Sequence, residues 1–106
     1  MSMTKNIKIS FDMRAVIPES DIVAVVAGFR KAASVTPVAG KEPLVAHIRQ
    51  MVAMIDLSET EEDKRIYTER LVEFGIKVSF REWFKNEIKE ELSNLGKCSP
   101  ISVKFI

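Results

Sequence analysis

The residues 71–95, LVEFGIKVSFREWFKNEIKEELSNL, admit two readings, and the choice between them decides the fold. Val72, Phe74, Ile76, Val78 and Phe80 alternate with less apolar neighbours, which is the period of a half-buried strand. From Ser79 onward the period changes. At about 100° per residue, Phe80, Phe84, Ile88, Leu92 and Leu95 fall on one helical stripe. Ser79 followed by Glu82 has the form of a capping box, with the serine oxygen accepting from the N–H of residue 82 and the glutamate reaching back. Gly96 then offers a left-handed stop. These end signals predict a helix over Ser79–Leu95, preceded by a short extended piece at 76–78.

Working outward, Tyr67, Leu71 and Phe74 recur at helical spacing behind a second candidate capping box, Ser58 with Glu61. A helix is expected from Glu59 to Phe74, with Gly75 ending it and Glu61–Arg65 forming a favourable pair four residues apart. Further upstream, Leu44, Ile48, Met51 and Ile55 form a stripe widened by Val45 and Val52, and Pro43 suits the start of that helix. Residues Glu19 to Ser34 read as another helix. Pro18, Glu19 and Asp21 suit its first turn, and Ile22, Val25, Val26, Phe29 and Ala33 share a face. Gly28 in its middle suggests close approach of another backbone. Val35 to Lys41, with Pro37 and Gly40, reads as a loop.

Both ends alternate. Ile7, Ile9, Phe11, Met13, Ala15 and Ile17 lie on one side of a candidate strand, and Lys8, Ser10, Asp12 and Arg14 on the other. Ile101, Val103 and Phe105 repeat the pattern at the tail. The expectation is a single α+β domain over residues 1–106, with a small sheet formed by the N- and C-terminal strands packed against about four helices.

The totals restrict the chemistry. With 106 residues there is material for one core. The formal net charge is +1, so strong sequence-independent DNA binding, which neutralises several phosphates at once, is not expected. Residues 1–57 carry seven basic and five acidic side chains, and residues 58–106 carry nine and ten, an asymmetry too small to name a partner. Cys98 is the single cysteine, so no internal disulfide is available and a reducing cytosol fits. No signal peptide is read at Met1 to Lys8, and the apolar run Ile22–Ala27 is too short to span a bilayer. His47 is the one histidine, at the edge of its stripe, where it reads as a boundary residue more readily than as a ligand. The glycines are isolated and give no phosphate loop. No nucleophile–base pair, cofactor motif or metal spacing is read, and the expectation is a binding protein with no catalytic residues.

Trp83 is the misfit of the 79–95 helix. It lies off the apolar stripe beside Glu87, Glu90 and Asn94, while Arg81, Lys85 and Lys89 line the other flank. Two readings stand: cover beneath an element of its own chain, or an anchor for a partner, a role in which tryptophan is enriched. Arg81 has two as well: part of a partner surface, or a side chain lying over Phe80 and bridging to Glu82 or the tail. Arg81, Trp83, Lys85 and Lys89 are the candidate partner-binding residues.

Met3, Thr4, Lys5 and Lys8, then Ser10, Phe11 and Asp12, together with Ser79, Phe80, Arg81, Glu82, Lys85, Ser99 and Pro100, resemble a family of small early proteins of T-seven-like podophages that bind the host nucleoid protein H-NS. The resemblance covers well under half the chain, and the acidic middle, 56–70, departs from it. It implies a protein of the infected bacterial cytoplasm that binds H-NS and relieves its silencing of AT-rich phage DNA by disturbing H-NS oligomers. It also implies host tRNA as a second partner class, although Phe80 and Phe84 on the buried stripe leave few aromatics for base stacking. Of the four candidate partner-binding residues, the motif carries Arg81 and Lys85, whereas Trp83 and Lys89 rest on the helical wheel. No membrane partner is expected, and homo-oligomerisation is left open.

Overall fold

Helix α1, Glu19–Ser34, forms where its signals place it. Pro18 in extended conformation ends the preceding chain, and Glu19 and Asp21 meet the positive helix end. Its apolar side sends Val26, Phe29 and Ala33 toward α2, Glu42–Asp56, which has Pro43 in its first turn. Between them Gly40 takes φ 87°, the left-handed value that glycine tolerates best, and its N–H donates to the Glu42 carboxylate at 2.8 Å. Val45, Ile48, Val52 and Ile55 of α2 are buried at three- and four-residue spacing, the stripe of an amphipathic helix. Arg49 closes the far end of α1. Its guanidinium donates to the carbonyls of Ala33 (2.8 Å) and Val35 (3.1 Å), acceptors that a helix end leaves without partners.

Helix α3, Glu61–Trp83, is the long element, and here the structure corrects the reading of the sequence. This computed structural model describes residues 2–106. Among them there is no strand and no sheet, and the α+β expectation is overturned. The N-terminal segment and the tail carry no regular secondary structure and no ladder partner, and residues 76–78 are helical. Gly75 does not stop the helix. It lets α1 approach, because an added Cβ would lie 3.2 Å from Cε2 of Phe29 and 3.7 Å from Cγ1 of Val25. Ser79 lies inside α3, where its neighbours' N–H groups are already bonded along the helix, so the Ser79–Glu82 signature caps nothing. The true cap is Thr60, whose hydroxyl accepts from the N–H of Asp63 at 3.1 Å. Ser58 instead donates to the carbonyl of Met54. Arg65 pairs with Glu69 (3.1 Å) and Glu62 (3.5 Å), not with Glu61.

After Trp83 the helix widens into a π-turn, Phe84–Ile88, and ends as a short α4, Lys89–Ser93. Gly96 has no positive φ, so the left-handed stop expected there is absent. Gly28 has nothing within 4 Å of an added Cβ, so no backbone approaches it.

The core lies where α1, α2 and the first half of α3 meet. Leu71 is fully buried among Ile48, Val52 and Ile55, with Phe29, Tyr67 and Phe74 around them. Phe29 and Phe74 approach at 5.8 Å between centroids, and the exposed His47 sets its ring edgewise on Phe74 at 5.1 Å. An Arg30–Asp56 pair ties α1 to α2 through two bonds of 2.8 and 2.6 Å. Both side chains are about half exposed, and such pairs stabilise little. Beyond the core the molecule is long: its extents are 65 × 35 × 19 Å. Its radius of gyration is 17.6 Å, against about 13 Å for a compact chain of ~100 residues.

Candidate partner-binding surface

The four candidate residues all sit where α3 has left the core. Arg81 and Trp83 end α3, Lys85 lies in the π-turn and Lys89 opens α4. All four are exposed, and no ion pair involves Arg81, Lys85 or Lys89 among the described residues. The bridge from Arg81 to Glu82 is therefore not formed.

Trp83 is 45% exposed, and its ring meets that of Phe80 edge-to-face at 6.5 Å. It is braced by its own helix and retains an accessible face. Two residues along a helix amount to about 200° of rotation, so Arg81 and Trp83 occupy opposite flanks. By the same rotation Lys85 lies nearer to the Arg81 flank than to the tryptophan. Next to Trp83 in the sequence reading stood Glu87, Glu90 and Asn94. These three, with Asn86 and Glu91, line a shallow open concavity of about 410 Å³. The terminal helix is therefore two-sided, with cations on one flank and carboxylates on the other.

The π-turn explains how the apolar stripe survives this far. Phe80, Phe84, Ile88 and Leu92 repeat every four residues, whereas an α-helix turns every 3.6, so such a stripe drifts by about 40° per step. A wider turn takes up part of that drift. All four side chains are half-buried. The sustained four-residue spacing was the available signal for the π-turn, and the sequence reading passed over it. Leu95, also assigned to the stripe, is exposed.

The tail supplies nearby cover. Lys77 of α3 places its ammonium over the Phe105 ring, 5.6 Å from the centroid, and Ile101 and Val103 are half-buried. The free Cys98 is half-buried, with Sγ 3.6 Å from the Ser99 carbonyl. No cluster of three or more His, Cys, Asp or Glu side chains converges among the described residues, and among them no helix is long and apolar enough to cross a membrane.

The sequence reading also missed the exposure of the N-terminal segment. Ile7, Ile9, Phe11 and Met13, assigned to the dry side of a strand, are all exposed. Period-two alternation was legible, but which surface would cover it was not. Comparison of the chain with family models, with curated proteins and with solved structures gives no match.

Proposed function

We propose that this chain is a non-enzymatic, protein-binding inhibitor from a phage. Its partner is the bacterial nucleoid protein H-NS, and it relieves silencing in the host cytoplasm by disturbing H-NS oligomers. The observation that carries this reading is where the resembling residues fall. Lys5, Lys8, Ser10, Phe11 and Asp12 are exposed on the N-terminal segment, and Arg81, Glu82 and Lys85 are exposed beyond the core. Apart from Phe80, which is half-buried on the apolar stripe, the residues that carry the resemblance are exposed, which supports recognition over shared packing as the reason for their pattern. The two-flanked helix suits a protein with charges of both signs better than it suits a nucleic-acid duplex, which rewards a single basic face.

Size-exclusion chromatography of the purified protein with full-length H-NS, after nuclease treatment and at two salt concentrations, tests the reading. Co-elution with H-NS shifted to smaller assemblies is expected. Separate elution in both salts contradicts it. Trp83→Ala is expected to weaken the complex by about 2 kcal/mol or more if the indole is an anchor, with the far-UV spectrum unchanged. Association that disappears with nuclease and falls steeply with salt would instead assign the tRNA partner.

A further inference from the structure

We propose that residues 5–15 form an antiparallel two-stranded ribbon with the same segment of a second copy, with Ser10 on the two-fold axis. The ribbon draws on Lys5, Lys8, Ser10, Phe11 and Asp12, which the partner reading also uses, but it is tested on the protein alone, with no partner present. A surface excess points to the ribbon. The chain exposes 9173 Å², whereas a folded monomer of its 12.0 kDa mass exposes about 6,000 Å². Much of the excess belongs to the N-terminal segment, in which every residue from Ser2 to Val16 is exposed. The segment has no ladder partner, and its alternation is regular. A stable interface needs roughly 1,200–2,000 Å² in total, and the exposed surface of two such segments contributes toward that area.

The sequence selects both the occupant and the register. With Ser10 opposite Ser10, Lys8 faces Asp12 of the second copy and Asp12 faces its Lys8, so two opposite-charge pairs form on the polar side. On the other side Ile9 faces Phe11, and Ile7 faces Met13, each pair twice. Other registers that keep the apolar side together are worse. Centring on Phe11 sets Lys8 against Arg14 twice, and centring on Asp12 opposes two carboxylates. Centring on Ile9 sets Lys8 opposite Ser10 and Asp12 opposite Asn6, so it forms no opposite-charge pair. Centring on Met13 pairs Asp12 with Arg14 but draws Pro18, which has no N–H to donate, into the ladder opposite Lys8. A parallel in-register pair stacks like charges at Lys8, Asp12 and Arg14. The interface is isologous, the form that closes as a dimer. A two-stranded ribbon alone is marginal, so its apolar side closes on the helices. Val23 of α1, 62% exposed, is an apolar residue available there.

Light scattering of the full-length protein during size exclusion, over a dilution series, tests this. The expected mass is twice 12.0 kDa at the higher concentrations. Phe11→Lys is expected to give a monomer with unchanged far-UV helicity. Lys8→Asp turns two attractive pairs repulsive and is expected to raise the dimer dissociation constant about tenfold, and Lys8→Asp combined with Asp12→Lys restores it. A wild-type monomer at every concentration, a dimer indifferent to Phe11→Lys, or a double exchange that fails to rescue would each overturn the proposal.

Discussion

The two halves of α3 share one helix and live in different surroundings. From Tyr67 to Val78 every residue but Glu69 and Arg70 is at least half-buried, and Leu71 touches no solvent. From Arg81 onward most side chains are exposed, and the helix widens into a π-turn. The first half is held by α1 and α2. The second ends in the exposed Arg81 and Trp83, and the π-turn and α4 that continue it carry Lys85, Lys89 and a concavity lined by three glutamates. Stability and recognition are thus separated along one helix, and substitutions in the two halves should behave differently.

The largest contrast is expected from leucine truncation. Leu71→Ala leaves a cavity in the centre of the core and should cost about 2–5 kcal/mol in chemical denaturation. Leu95→Ala, at a residue 87% exposed, should stay within about 0.5 kcal/mol of wild type. Equal effects would break the division. Next in size is Gly75→Val. Its Cβ must displace the Phe29 ring, and overpacking of this kind costs about 1–3 kcal/mol, more than the few tenths gained in helix propensity. Adding Phe29→Leu should recover part of that loss, and a strictly additive double mutant would show that the two residues do not meet. Arg49→Ala removes the donor to the Ala33 and Val35 carbonyls and should cost about 1 kcal/mol, read as a lower thermal midpoint.

The smallest effect is that of pH on the Arg30–Asp56 tie. The hydrogen bond from Arg30 holds the Asp56 carboxyl below its ordinary value; desolvation opposes it, and the charges of Arg30 and Lys64 add to it. A carboxylate with a depressed folded pKa stabilises the protein above its unfolded pKa, and that contribution disappears as pH falls through the folded value. The gap in melting temperature between wild type and Asp56→Asn should therefore be small near neutrality and close in acid. A gap that widens in acid would reverse the sign of the linkage.

What was legible in the sequence follows the same division. Helix α2 buries one stripe and α1 half-buries one, and their spacing, first-turn acids and prolines marked their positions closely. Residues 72–80 misled because residues 73–78 are half-buried all round. Alternate residues on a helix fall on opposite sides, so a helix covered on two sides reads like a strand. Gly75 resembled a stop because glycine's two uses, a left-handed turn and a close approach, leave the same letter. The Ser79 signature failed because a capping box works only where N–H groups are free. Arg81, Trp83, Lys85 and Lys89 are all exposed; for Trp83 the sequence had offered cover by its own chain as well as an anchor role, and periodicity alone could not choose between them.

Amide hydrogen exchange across residues 67–84, followed residue by residue by NMR, tests the continuity of α3 most directly. The account predicts the slowest exchange at Leu71 and Val72, declining without a break through Gly75 and Ser79 toward Trp83. Rapid exchange over 75–79 with protection resuming after Ser79 would contradict it, and would restore two separate elements where one helix now stands.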